Sequence, residues 1–132
     1  MVYTLEIKTA KTTEFIDITA SIQDLVNKHG PMDGICYVYV PHTTAGITIN
    51  ENADPSVQSD ILMVLNKVIS TDEAYRHAEG NSPAHIKATL TGTMAAVFVD
   101  SGRLVLGTWQ GIYFCEFDGP RRRRVIIKFL KG

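Results

Sequence analysis

A chain of 132 residues with 45% hydrophobic and 20% charged side chains can close one hydrophobic core and has little material for a second, so residues 1–132 read as a single domain. A formal net charge of -1 argues against nucleic acid as a partner, because binding a polyphosphate calls for a basic excess. No apolar run approaches the ~20 residues that a membrane helix requires, and the opening Met1–Glu6 lacks the basic stretch and apolar block of a secretory signal; the expected setting is cytoplasmic, with no membrane partner.

Tyr3, Leu5 and Ile7 alternate with Thr4, Glu6 and Lys8, the period of a half-buried strand, and Glu14 to Asp17 reads as its short partner. Ile18, Ile22, Leu25 and Val26 then recur at helical spacing behind Asp17 and Thr19, up to the stop at Gly30-Pro31. His29 falls in the last turn of that helix, where a cation suits the dipole, and is assigned a structural role. Two strands are predicted over Gly34 to Val40 and Thr44 to Asn50, with Pro41-His42-Thr43 between them. A second helix starts at Asp54 as cap with Pro55 at its first position, carrying Val57, Ile61, Val64, Leu65 and Val68 on one face.

From Ser70 to Pro83 the periodicity stops, and long connections of this kind inside small domains are usually functional or disordered. Beyond it the pattern predicts only strands: Ile86 to Thr91, Met94 to Val99, Leu104 to Leu106, Gly111 to Phe117 and Arg122 to Leu130. The order excludes a regular βαβ winding. It favours an α+β fold, a mainly antiparallel two-sheet β-sandwich with two helices. Cys36 and Cys115 sit inside strand-like runs and read as buried free thiols.

The charge is unevenly spread. Residues 1–80 carry 5 Lys or Arg against 11 Asp or Glu (net -6), and residues 81–132 carry 8 against 3 (net +5), which suits interleaving halves or a subunit interface. In the run Arg121 to Arg124 at a strand start, alternate arginines face opposite sides, so one pair meets carboxylates or a ligand while the other is solvated.

Chemistry concentrates around three histidines. His42 lies in Pro41-His42-Thr43-Thr44-Ala45-Gly46, and His77 and His85 flank the turn-prone Gly80-Asn81-Ser82-Pro83. Imidazoles from separate segments could converge on a divalent cation, zinc or otherwise magnesium, leaving a position for water or a ligand oxygen, although the spacing matches no standard zinc signature; hydrogen-bonding histidines are the alternative. Glu51 or Glu79 could then act as base. Thr43 and Thr44 offer hydroxyls beside small residues, suited to an oxyanion. Arg76 could anchor a phosphate or be a solvated loop charge. Trp109 and Gln110, between glycines, could stack on and hydrogen-bond to a flat ring, or Trp109 could be core.

Five ordered blocks then carry a resemblance: Pro41 to Gly46, Asn50 to Pro55, Tyr75 through His77 and Asn81 to His85, Gly107 to Ile112, and Glu116 to Arg121. Together they resemble the YjbQ-like family, also called secondary thiamine-phosphate synthases, over nearly the whole chain. The resemblance implies an α+β two-sheet sandwich, a homotrimer and a weak thiamine-phosphate synthase activity, condensing an aminopyrimidine pyrophosphate with a thiazole phosphate. It implies His42, His77 and His85 as metal ligands and Glu51, Asn52, Gln110 and Arg121 as polar wall or phosphate contacts; Glu51 and His77 are the catalytic groups expected from the residue chemistry above. Contacts to a phosphorylated small molecule would come from Thr43, Thr44, Asn52, Arg76, Asn81, Trp109, Gln110 and Arg121. A trimeric binding module without turnover and a metal-dependent phosphohydrolase are the alternatives.

Overall fold

In the computed structural model, which describes residues 1–132, the alternating N-terminal segment forms β1 (Tyr3–Lys8), with Ile7 buried and Glu6 and Lys8 exposed. Next come β2 (Glu14–Asp17), α1 (Thr19–His29), β3 (Gly34–Tyr39), β4 (Ala45–Glu51), α2 (Pro55–Val68), α3 (Ser82–Thr91), β5 (Met94–Asp100), β6 (Arg103–Leu104), β7 (Gln110–Glu116) and β8 (Arg122–Lys131). All strand pairs are antiparallel, in a five-stranded sheet ordered β1-β8-β3-β5-β6 and a three-stranded sheet ordered β2-β7-β4. The α+β two-sheet architecture expected from the sequence is therefore present.

The main core lies between the sheets. Val38, Val97, Val125 and Ile127 of the larger sheet meet Ala45, Ile47, Ile112 and Phe114 of the smaller, and α1 closes it with Ile22 and Val26. The Asp17 carboxylate holds the start of α1 by accepting from the Thr19 N–H at 2.9 Å. At the other end of that helix the His29 ring stacks on Tyr3 with centroids 4.4 Å apart, a packing role. β7 is buried on both faces: Tyr113 and Cys115 point away from the main core into a second cluster with Ala84 and Ala88 of α3, against which Leu62 and Leu65 of α2 pack.

One segment departs from expectation. Ile86 to Thr91 is not a strand but most of α3, so the fold has three helices rather than two. Pro83 starts the helix, and its buried face is Ala84, Lys87 and Ala88, an i, i+3, i+4 set that carries too little apolar character to read as a core stripe. Close approach then decides where α3 lies. A Cβ on Gly46 would stand 2.7 Å from the Gly92 carbonyl oxygen, so the glycine lets the end of α3 touch β4, where the Ile47 N–H donates to that carbonyl at 3.1 Å. α2 starts as its sequence predicts, with the Asp54 carboxylate accepting from the Ser56 N–H at 2.9 Å ahead of Pro55.

Candidate functional site

At one end of the sandwich the chain crosses between sheets at the β1–β2 connection (Thr9 to Thr13), the β3–β4 connection (Pro41 to Thr44) and the β7–β8 connection (Phe117 to Arg121), and the long α2–α3 connection folds over the same end. These crossings are fixed by a buried ion pair. Glu116, on the core-facing side of β7, is fully buried, and Arg123, on the core-facing side of β8, is 5% exposed. The Arg123 guanidinium donates from Nε to Glu116 Oε1 at 2.9 Å and from Nη2 to Oε2 at 2.5 Å, while Nη2 also reaches Thr44 Oγ1 at 2.8 Å. The Thr9 hydroxyl donates to Glu116 Oε1 at 2.7 Å, and the Asp118 N–H to Oε2 at 3.1 Å. Burial by itself would push the Glu116 carboxyl up; the hydrogen bonds from Arg123, Thr9 and Asp118 outweigh it and hold the group below the usual carboxylate range.

Above this pair opens a recess of about 440 Å³ lined by ten residues, none hydrophobic: Pro41, His42, Thr43, Thr44, His77, Glu79, Asn81, His85, Arg121 and Arg123. All three histidines singled out in the sequence line it. A hydrogen-bonded chain braces its rim: the Asn81 amide donates to Glu79 Oε2 and to Asp118 Oδ2, both at 2.8 Å, and Arg121 donates to Asp118 Oδ2 at 3.1 Å. The arginine run thus divides as strand alternation requires, Arg121 and Arg123 meeting carboxylates while Arg122 and Arg124 are exposed without an ion-pair partner.

The ligand set for a metal is only partly assembled. The rings of His77 and His85 stand edge to face with centroids 5.3 Å apart. Two imidazoles bound to one tetrahedral zinc, at Zn–N of about 2.0–2.1 Å, place their centroids about 5 Å apart, so the separation of this pair matches that spacing. His42 does not join them: its Nε2 accepts the backbone N–H of Arg124 at 3.1 Å, which occupies the lone pair a metal would need. Burial and the nearby Arg123 guanidinium lower the His42 pKa, favouring the neutral ring with its proton on Nδ1. No three His, Cys, Asp or Glu side chains come together closely enough to share an ion.

Several expected contacts lie elsewhere. Glu51 pairs with Gln110 at the far end of β4 from Thr44, roughly 20 Å away at about 3.3 Å per residue. It therefore cannot serve as base to His77 of the same chain; Glu79 is the carboxylate in the recess. Asn52 follows Glu51 at that far end, its N–H donating to the Trp109 carbonyl at 2.8 Å. Gln110 accepts the Gly107 N–H at 2.8 Å and so closes its own turn. Trp109 is 63% exposed, neither a core residue nor a wall of the histidine recess. Arg76 is exposed and lines no part of that recess. Both cysteines are free and buried, and burial pushes the Cys36 thiol up to about 12, which makes it inert at neutral pH. Glu116, Arg123 and Asp118 are the site-building residues that the sequence reading passed over. Their signal lay in the alternation of the arginine run, which called for carboxylate partners on one side only.

The sheet crossings and the α2–α3 connection thus gather three imidazoles, two arginines and threonine hydroxyls around one polar recess of an α+β two-sheet sandwich. Residues 3–132 match the family model described as UPF0047 protein YjbQ-like, and the chain belongs to that family. It is 52% identical over 131 residues to the UPF0047 protein YugU of Bacillus subtilis, an alignment covering 98% of this chain and 99% of YugU. With the UPF0047 protein MJ1081 of Methanocaldococcus jannaschii it shares 50% identity over 130 residues, 98% of this chain and 94% of the relative. A crystal structure of a YjbQ/UPF0047-family protein from Clostridium acetobutylicum superposes with a TM-score of 0.94 at 52% identity, over 97% of this chain and 99% of that one. The YbjQ-like protein of Sulfolobus solfataricus reaches the same TM-score, 0.94, at 33% identity, over 100% of this chain and 97% of that one.

Proposed function

We propose that the chain acts on a phosphorylated small molecule at the histidine recess, in a reaction in which a phosphate or pyrophosphate group leaves. The observation that carries this reading is the convergence of His42, His77 and His85 with Arg121 and the threonine loop in a recess without an apolar wall. Such a lining is suited to charge that accumulates on a departing oxyanion: Arg121 and the Nδ1–H of His42 stabilise it, the Thr43 hydroxyl hydrogen-bonds it, and His77 carries a proton with Glu79 beside it. The specific reaction put forward is weak thiamine-phosphate synthesis, in which pyrophosphate leaves an aminopyrimidine and a thiazole phosphate takes its place. A divalent cation, zinc in preference to magnesium because nitrogen donors suit it, is assigned to the His77–His85 pair; when bound it would supply charge neutralisation at the leaving group.

The proposal includes a homotrimer working in the cytoplasm. Supporting self-association, the outer face of the larger sheet exposes Met94, Phe98 and Leu130, with Val2 just before β1, at 52–67% of their surface, and Tyr39 at 40%. Sedimentation of the untagged protein as a trimer is the expected result, and a monomer at micromolar concentration would remove that part.

A phosphohydrolase is the second reading, favoured by the location of Trp109, which leaves the recess without a surface for stacking a heterocycle. A single-turnover assay with the aminopyrimidine pyrophosphate separates the two. Pyrophosphate release that requires the thiazole phosphate, and that falls at least about tenfold in H77A and H85A, is the outcome expected of the synthase. Release without the second substrate assigns the hydrolase, and saturable binding with no release by either route assigns a binding module.

A further inference from the structure

Below α3 lies a second cavity, of about 410 Å³, separated from the histidine recess by Asn81, which lines both. Its chemistry differs. Lys87 of α3 is 6% exposed, and its ammonium donates to Asn66 Oδ1 at 2.5 Å, a neutral partner. The only ion pairs in the chain are Arg121–Asp118 and Arg123–Glu116, so Lys87 has no counter-charge. Asp118 also lines the cavity, but its carboxylate is engaged by Arg121 and by the Asn81 amide. An ammonium has three N–H donors and a large desolvation cost when buried without an anion, and here burial lowers the Lys87 pKa for want of one. Around it, Thr12 and Thr13 of the β1–β2 turn and Thr71 of the α2–α3 connection bring hydroxyls that make no side-chain hydrogen bond within the chain.

We propose that this cavity is a second oxyanion site, which takes the phosphoryl group of a phosphorylated small molecule with Lys87 as its counter-charge and the Thr12, Thr13 and Thr71 hydroxyls as further donors. Donors supplied from three separate segments suit the three terminal oxygens of a phosphoryl group better than the two coplanar oxygens of a carboxylate. The site is independent of the histidine recess, since none of its cation or hydroxyl groups belongs to the set that carries the proposed function. A chain with both sites would hold two anionic groups on either side of Asn81.

The test uses the full-length protein carrying H77A and H85A, which removes the proposed cation pair from the histidine recess, with 13C-labelled lysine so that the readout is specific to Lys87. Inorganic phosphate is titrated at constant ionic strength in sodium chloride, and the ε-CH2 resonance of Lys87 is followed, assigned by its absence in K87M. The expected result is a saturable shift of that resonance with a midpoint on the order of 1 mM, and phosphate binding at least about tenfold weaker in K87M by calorimetry. A Lys87 resonance unmoved by phosphate overturns the proposal, and an equal response to acetate overturns the phosphoryl assignment. Should K87M not fold, the resonance is assigned by its absence in K87R, and its response to phosphate decides alone. Loss of the recess chemistry in H77A/H85A with the Lys87 shift retained separates this site from the function proposed above.

Discussion

Replacing Arg123 by methionine keeps the length of the side chain and removes the group that balances Glu116. The carboxylate, fully buried, would keep only the Thr9 hydroxyl at 2.7 Å and the Asp118 N–H at 3.1 Å. Breaking a buried pair by deleting one partner costs about 3–5 kcal/mol, because the survivor is a desolvated charge without a counter-ion. With an m-value of about 2 kcal/mol/M for a domain of this size, the urea midpoint should fall by about 2 M. The pH dependence should also change sign. In the native chain Glu116 is held low, so it contributes stability that is present above the unfolded carboxyl value of about 4.3 and is lost as pH falls through the folded value. In R123M burial dominates and lifts the carboxyl above that value. Its contribution is then present below about pH 4.3 and is lost as pH rises through the lifted value. Urea unfolding from pH 4 to 8 at fixed protein concentration measures both effects, and E116Q/R123M should recover part of the loss. A cost below about 1 kcal/mol, or a variant that keeps the native sign of the pH dependence, would refute the argument that this pair clamps the two sheets.

Four further outcomes are expected. His42 should titrate below the ordinary histidine value of about 6.5, so its contribution to stability is present above that pH and lost as pH falls through the folded value; the imidazole proton shifts in NMR report it, and a midpoint above 6.5 contradicts the assignment. Gly119→Ala should destabilise by about 1–3 kcal/mol in thermal or urea unfolding, because its Cβ would press on the Lys11 carbonyl and stand 2.8 Å from Thr9 Oγ1. Asp54→Ala should cost about 1 kcal/mol through the lost cap on Ser56 N–H, with phosphate binding unchanged by calorimetry. Trp109→Ala should leave phosphate affinity within about twofold in the same assay, because the ring lies at the far end of β7 from the recess; a larger loss would require a neighbouring subunit to bring it there.

How far the sequence could be read depended on which force shaped each segment. Strands with one face in the core, such as β1 and β3, and helices with an aliphatic stripe, such as α1, declared themselves because burial was written as a period. α3 did not, since its buried face is Ala84, Lys87 and Ala88, and Ile86, Thr89 and Thr91 suggested a strand. The histidines were legible as candidates because imidazole set among hydroxyls, amides and glycines stands outside any apolar period, and the fold then brings all three to one recess. Glu51, Asn52, Trp109 and Gln110 lie apart from them within one chain; this was not legible, because periodicity does not say which end of a strand a residue occupies, and β4 sets Ala45 and Glu51 a strand length apart. Glu116 escaped notice as a lone carboxylate in an otherwise apolar run, and its partner is visible only when β7 and β8 are placed in facing sheets.

The four consecutive arginines have a consequence for how β8 finds its alignment. Were the strand to slide by one residue, Arg122 or Arg124 would arrive opposite Glu116 in place of Arg123, and the carboxylate would still find a guanidinium. The charged half of the strand is thus degenerate, and the choice is made by its apolar half, where Val125 and Ile127 are fully buried and the neighbouring Lys128 is exposed. Making Lys128 isoleucine would remove that veto and leave the strand free to settle in two alignments of nearly equal merit.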